Sequence, residues 1–431
     1  MAVSQKKLLT DGSLLFVSTL IVNAGNYAIN LLLGRWLGPT DFSEVSLLVT
    51  ILLMVSFLAL GFQLTAAKYA ATYDSAEHSG TLYQLIKWLK KNALLLGGTL
   101  FVLTVAMSVV WQDFFQMSSY LPFVIFGFGL PVYLLMSVNR GLLQGLLNYK
   151  KLALTYQAEM WVRLVITVLL VYLGYRVNGV AWGLTLSLVA TWWVSRTTID
   201  TDNQTTSSHF PQSDVLKFLL MILVYECSQI LINNSDIILV KHYFPPYEAG
   251  LYAALALIGR IVYFGTWTVV TLLFPIVIKL EKEGKSHTKY FIGGLGIVAF
   301  IAAVIVATSY FFPSEMVDIL FGEAYQSVAP LLWKYSLATA LFALSNVFVY
   351  YHLSLDRRLP VWITIIGGIA QIILITLYHV DFEQVINVQI GLMIGLFVAM
   401  VTYHLIHTFF GSTNRAKTNP TDIQTDEELV L

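Results

Sequence analysis

Seven ionisable side chains of this chain stand within or at the ends of long apolar stretches. Arg140, Glu159, Arg163, Glu226 and Arg260 lie deep within them, and Arg35 and Asp236 lie towards their ends. Burying a charge in hydrocarbon costs at least about 2.5–3.5 kcal/mol, so each of the deep ones needs a partner or a task. Glu159 and Arg163 are four residues apart with the acid first, the favourable order for an ion pair along a helix. They either neutralise each other or line a polar pathway. Arg140 and Arg260 have no such neighbour in sequence, and for them a structural pairing with Glu226 or with backbone carbonyls competes with a ligand-binding role. The three deep arginines outnumber the two deep acids. A cavity with surplus guanidinium suits an anion, above all a phosphate, which arginine grips bidentately.

Amides accompany these charges. Asn23, Asn26 and Asn30 follow an i, i+3, i+7 spacing and share one helical face, and Gln229, Asn233, Asn234 and Asp236 cluster in a later stretch. Such a face is either a hydrogen-bonding seam between helices or the wall of a hydrophilic cavity. Read as a cavity, the candidate ligand contacts are Arg140, Arg260, Arg163, Arg35, Asn26, Asn30 and Asn233. Glu226 and Asp236 are the candidate sites for a coupling ion, a proton or sodium, and Glu226 is the one favoured. Asp236, nearer the end of its stretch, reads rather as an anchor or a cap for the turn at Lys241. Lys334 reads as a snorkelling side chain.

Other chemistry is excluded. The single cysteine, Cys227, permits no intrachain disulfide and no cysteine-based metal site. No Walker loop and no HExxH motif occurs, and Gly294–Ala299 imitates a dinucleotide fingerprint without a preceding strand. No cofactor and no metal is expected, and the chain carries no ATPase of its own.

The elements that must position these residues follow from composition. The 431 residues are 57% hydrophobic and 12% charged, against about 25% charged in a soluble domain. Lys plus Arg and Asp plus Glu number 25 each, so no basic footprint points to nucleic acid. A polytopic membrane protein remains. At about 20 apolar residues per crossing, twelve spans are expected near 12–33, 45–69, 93–111, 121–146, 153–174, 178–196, 216–240, 249–278, 290–312, 328–353, 360–379 and 386–409. The first follows Lys6 and Lys7 but no cleavage site follows it, so it is expected to be retained. With a cytoplasmic N-terminus, eighteen Lys and Arg fall in connections on the cytoplasmic side and only Arg35, Arg176 and Lys241 on the other. That bias predicts both termini in the cytoplasm. The basic stretch Tyr83–Lys91 reads as an interfacial segment. The outer connections are short, which disfavours a membrane-embedded glycan polymerase or ligase.

Two landmarks recur at an offset of about 207. Arg35-Trp36-Leu37-Gly38-Pro39-Thr40-Asp41 corresponds to Lys241 through Gly250, and Asn139 with Lys150-Lys151 corresponds to Asn346 with Arg357-Arg358. Six spans per half make the repeats parallel, related by an axis along the membrane normal. The expected organisation is an N-terminal six-helix lobe 1–199, a polar cytoplasmic linker 200–213, a C-terminal six-helix lobe 214–410 and a disordered cytoplasmic tail 411–431.

The stretch Leu33-Gly34-Arg35-Trp36-Leu37-Gly38-Pro39-Thr40-Asp41-Phe42 resembles the start of Wzx-type polysaccharide flippases, as do Gly61, Ala66-Ala67-Lys68-Tyr69 and Asn139 through Gly145. Asp236 through Leu239, Glu248 through Tyr252 and Ile319 through Tyr325 extend the resemblance over nearly the whole chain. Position 43 is Ser where that family often has Gly. The resemblance implies the multidrug/oligosaccharidyl-lipid/polysaccharide exporter superfamily and an all-α membrane fold of twelve transmembrane helices in two parallel six-helix lobes, MATE-like. It further implies flipping of undecaprenyl-pyrophosphate-linked oligosaccharide across the bacterial inner membrane by alternating access, for O-antigen, capsule or exopolysaccharide synthesis. Implied partners are the lipid-linked oligosaccharide, membrane lipids, H+ or Na+, and a polysaccharide polymerase with its chain-length regulator. A drug/cation antiporter of the same fold and a membrane-embedded polymerase or ligase are the competing readings.

Overall fold

The computed structural model describes residues 5–73, 79–197 and 210–262, some positions between 269 and 282, then 283–355 and 357–409. The tail expected at 411–431 and most of the expected linker, 198–209, lie outside the described residues.

The first helical run, α1 (Gln5–Thr72), is two helices joined at Gly38, whose φ of 73° and ψ of 172° are not helical. Pro39 follows directly. Proline excludes the helical region for the residue before it and starts a helix well, so one helix ends and the next begins at this pair. The first two expected spans are the two arms of α1. Next come α2 (Ser79–Ala106), α3 (Ser108–Phe114), α4 (Leu121–Gly127), α5 (Gly129–Gly145), α6 (Tyr149–Tyr172) and α7 (Arg176–Ser195). The segment read as interfacial, Tyr83–Lys91, lies within the continuous helix α2, where Leu82, Leu85, Ile86 and Leu89 are buried and Lys87 and Lys91 stay exposed.

The chain continues with α8 (Gln212–Tyr243), α9 (Pro246–Gly259), α10 (Thr288–Phe311), α11 (Pro313–Leu320), a 3-10 stretch Glu323–Leu331, α12 (Leu332–Ser354), α13 (Leu359–Leu377) and α14 (Phe382–Phe409). Among the described residues nine helices are long and apolar enough to cross a membrane, or ten if the bent pair Gln212–Val224 and Gln229–Tyr243 is one span. With that pair counted as one span, the remaining shortfall of two from twelve has two sources. The arms of α1 form one run, and the eighth expected span, 249–278, passes out of the described residues after Val262.

Two compact units result. One is Met1–Ala256 with Ser314–Ala329, and the other is Leu257–Pro313 with Pro330–Leu431. This division differs from the lobes expected on either side of 200–213, because α8 packs on α1 and joins the first unit. Within that unit α5 is central, flanked by α1, α2 and α7, and α6 packs along α7. The Gly141–Gly145 pair lets α5 approach α1 closely: a methyl group at either position would strike the carbonyl oxygens of Gln63 or Ala67. In the second unit α12 lies between α10 and α14, with α13 against α14. Large apolar side chains such as Phe300, Ile366 and Leu95 stay exposed on the helix surfaces. A bilayer is the solvent that suits them.

The backbone at Gly38 lies in a region that other residues occupy only with strain, about 1–3 kcal/mol. Gly38→Ala is expected to lower the thermal unfolding midpoint of the purified protein in detergent. An unchanged midpoint would mean that the break in α1 does not need glycine.

Candidate functional site

The helices α5 and α6 form an antiparallel hairpin. Its turn is capped by Asn148, whose side-chain oxygen accepts from the Lys151 amide at 3.3 Å. The hairpin sets residues equally far from the turn opposite each other, so Arg140 meets Thr155 and Glu159. Arg140 Nε donates to Thr155 Oγ1 and its Nη2 to the Thr155 carbonyl, both at 3.0 Å. Nη2 also lies 2.8 Å from Glu159 Oε2, and the guanidinium sits 4.2 Å over the Tyr156 ring. The expectation that Arg140 lacks a local partner is therefore corrected: α6 supplies an acid, a carbonyl, a hydroxyl and an aromatic face.

The sequence-adjacent pair forms as well. Arg163 Nη2 lies 2.5 Å from Glu159 Oε1, and Arg163 Nη1 donates to Asn26 Oδ1 at 3.1 Å. One carboxylate thus holds two guanidiniums, one on each oxygen, and the cluster carries a net charge of +1. Its side chains are 5% (Arg140), 14% (Glu159) and 12% (Arg163) exposed. Arg163 Nε is buried without a partner among the described residues. Of the two arginines, Arg163 is the one whose Nε is left unmet, while Arg140 Nε is taken by Thr155.

Polar groups that sequence reading missed extend the cluster. Gln63 on the second arm of α1 donates to Gln144 Oε1 and to the Tyr156 hydroxyl, both at 3.0 Å. Gln157 donates to the Ser18 hydroxyl at 2.9 Å. The one signal for Thr155 and Tyr156 was their spacing of four and three residues before Glu159. Asn30, expected in the cavity, turns back and donates to the Asn26 carbonyl of its own helix.

On α8, Glu226 is buried and has no hydrogen bond or ion pair to a described residue. The pairing with Arg163 that was an open alternative does not occur, since Arg163 is engaged with Glu159 and Asn26. One turn on, Gln229 is buried with neither side-chain polar atom partnered among the described residues. Leaving such groups unmet costs about 1–3 kcal/mol each. Asn233 donates to the Gln229 carbonyl, again along its own helix. Asp236 is fully buried and accepts from the Tyr252 hydroxyl of α9 at 3.2 Å, so it anchors α8 to α9 rather than capping the turn at Lys241. Arg260 follows the last residue of α9, is half-buried and is not without a partner. Lys334 pairs with Glu383 instead of merely snorkelling.

At the base-poor end of the first unit the two repeated landmarks meet. Gly250 lies so close to the Pro39 carbonyl that no Cβ fits there. Arg35, also expected in the cavity, is exposed at this end and donates to the Asp318 and Ile319 carbonyls at 2.8 Å, covering the C-terminus of α11. Tyr325 donates to the Gly34 carbonyl at 2.8 Å, and its ring packs with Phe42 and Phe321. The buried Lys241 donates to the Ser43 hydroxyl at 2.9 Å. Among the described residues no group of three or more His, Cys, Asp or Glu side chains is placed to hold a metal ion.

Removing one partner of a buried ion pair typically costs about 3–5 kcal/mol, because the remaining charge is stranded. Glu159→Gln strands Arg140 and is expected to destabilise by that order in detergent unfolding. The double variant Arg140→Gln/Glu159→Gln should recover part of the loss. Strictly additive losses would show that the two side chains are not coupled.

Comparison with known proteins adds the family. A model of the family described as "Polysaccharide biosynthesis protein" matches residues 32–330. None of the curated proteins matches the chain. Among solved structures, the inward-facing conformation of a multidrug resistance MATE family transporter of the MOP superfamily superposes with a TM-score of 0.74 at 16% identity, covering 92% of this chain and 96% of that one. The lipid II flippase MurJ in an inward closed conformation gives 0.71 at 12% identity, covering 92% and 87%. A MOP superfamily transporter from Pyrococcus furiosus, described as having a binding pocket of reverse polarity, gives 0.54 at 18% identity over 95% and 96%. At these identities the likeness is one of fold, an all-α multi-pass membrane architecture. With the family match over more than half its length, the chain belongs to the polysaccharide biosynthesis protein family.

Proposed function

We propose that this protein flips undecaprenyl-pyrophosphate-linked oligosaccharide units from the cytoplasmic to the outer leaflet of the bacterial inner membrane. It works by alternating access of two six-helix lobes, 1–199 and 214–410, with both termini cytoplasmic. The observation that carries the reading is the buried cluster of Arg140, Glu159 and Arg163, with its net positive charge and the unfilled Nε of Arg163. An anion entering a low-dielectric site meets a guanidinium already oriented by Glu159 and Asn26, so little ordering remains to oppose binding. A pyrophosphate supplies the acceptor oxygens that Arg163 lacks. Gln63, Gln144 and Tyr156 provide donors and acceptors suited to sugar hydroxyls. Arg140, held by Thr155 and Glu159 of α6, helps fix the carboxylate that orients Arg163.

The surplus of cation disfavours the drug/cation antiporter reading, which calls for acids in an otherwise uncharged pocket. Energy comes from an ion gradient or from removal of the flipped product. Glu226 is the candidate coupling acid because it is buried with no cation paired to it among the described residues. A carboxyl so placed gains or loses a proton without first breaking a salt bridge.

Reconstitution into proteoliposomes tests both parts. Arg163→Ala is expected to reduce flipping of a lipid-pyrophosphate oligosaccharide at least tenfold, with Arg163→Lys recovering part of it. Wild-type flipping by a stably inserted Arg163→Ala protein would end the cationic-site reading. Under an imposed pH gradient, Glu226→Gln is expected to remove the gradient dependence and leave a slow basal rate. A dependence equal to that of the wild type would exclude Glu226 as the coupling group.

A further inference from the structure

A second cationic site lies apart from the cluster on α6. At the basic end of the first unit, α2, α5, α6 and the C-terminal end of α7 line an open cavity of about 610 Å³. Lys90, Lys151 and Arg196 contribute three positive charges to its lining, and no acid lines it. None of the three is paired with an acid among the described residues. Like charges held around one cavity repel unless an anion sits between them.

The cations are held in place. Lys151 Nζ donates to the Arg196 carbonyl at 2.5 Å and to Thr197 Oγ1 at 3.3 Å, which ties α6 to the end of α7. Arg196 lies 3.9 Å over the Trp192 ring, so its guanidinium is oriented while its N–H groups stay available. Asn139, only 2% exposed, reaches the same cavity. Its amide donates to Ser195 Oγ at 3.2 Å, and its Oδ1 is buried without a partner among the described residues. The cavity therefore asks for a ligand that is anionic and also carries a hydrogen-bond donor. A bare phosphate meets the first requirement and leaves Asn139 Oδ1 unmet.

The surroundings are apolar. Trp193, Leu95 and Leu154, on α7, α2 and α6, are all exposed large side chains. An aromatic and basic rim above an apolar surface is the setting in which a lipid headgroup meets the interface while its chains stay in hydrocarbon.

We infer that this cavity is a site for an anionic phospholipid with a hydroxyl-bearing headgroup, of phosphatidylglycerol chemistry. The phosphodiester lies among Lys90, Lys151 and Arg196, and a headgroup hydroxyl donates to Asn139 Oδ1. Bound there, the lipid ties together four helices, among them the α5–α6 hairpin that carries Arg140 and Glu159.

The test uses the full chain. Native mass spectrometry of the purified protein, titrated with phosphatidylglycerol and with phosphatidylcholine, reads selectivity. Thermal unfolding in nanodiscs of phosphatidylcholine with and without phosphatidylglycerol reads stabilisation. We expect selective retention of phosphatidylglycerol, a rise in unfolding midpoint with it, and at least tenfold weaker retention by Lys90→Gln/Lys151→Gln/Arg196→Gln. Equal retention of the two lipids by the wild-type protein would overturn the proposal, whether or not the triple variant folds. So would undiminished selectivity in a folded triple variant. Sodium phosphate, sodium pyrophosphate and undecaprenyl pyrophosphate are the control ligands. If any of these displaces phosphatidylglycerol and stabilises the wild type as well as it does, the cavity is a general phosphate or substrate site and the lipid assignment is wrong. Asn139→Leu is expected to narrow the preference for phosphatidylglycerol over an anionic lipid without headgroup hydroxyls, phosphatidic acid, while leaving the response to charge intact.

Discussion

The interior of the first compact unit is organised around one carboxylate. Glu159 lies between two guanidiniums, and each of its oxygens serves a different arginine. Without it, two cations would stand in an apolar interior at a cost the fold could not easily absorb. With it, Arg140 is held through Nε and Nη2, and Arg163 is oriented with its Nε left unmet. The asymmetry matters because the two arginines are equivalent in charge and depth. What separates them is that the α5–α6 hairpin gives Arg140 the Thr155 carbonyl and hydroxyl, whereas Arg163 faces only an amide from α1.

The end of the same unit around Gly38 is held by close packing and hydrogen bonds, with the Arg176–Asp41 ion pair beside them. The break at Gly38–Pro39 ends one arm of α1 and exposes a carbonyl that Gly250 approaches. Arg35, Tyr325 and Lys241 then satisfy backbone or hydroxyl acceptors around it. The serine at position 43, where the resembling family often has glycine, gives the buried Lys241 its acceptor. These contacts are short and directional but few, and all of them rest on segments next to a helix end.

The second compact unit is built differently. Several imidazoles cluster there: His287 bridges Glu281 and the Tyr351 hydroxyl, and His352 contacts His404 across α12 and α14. The two halves share landmarks at their turns, yet the deep salt-bridge network belongs to the first unit. A repeat preserves what the backbone needs, such as helix ends, prolines and basic anchors. It leaves the polar interior of each half free to diverge.

Much of this protein was legible from local pattern. The all-α membrane class followed from composition, the helix positions from apolar run length, and the Glu159–Arg163 pair from a spacing of four. The turn motifs at Gly38–Pro39 and Glu248–Gly250 were visible as a repeat, although nothing in the sequence said that they touch. These features depend on neighbours within a turn or two of helix. The partners of Arg140, the lack of a partner for Glu226 among the described residues, the retreat of Asn30 onto its own helix and the gathering of Lys90, Lys151 and Arg196 around one cavity were decided only in the tertiary structure. In each case the outcome depends on which face of one helix meets which face of another. A helix shows its own periodicity in sequence, but the register of a hairpin and the rotation of a helix are set by packing among distant segments.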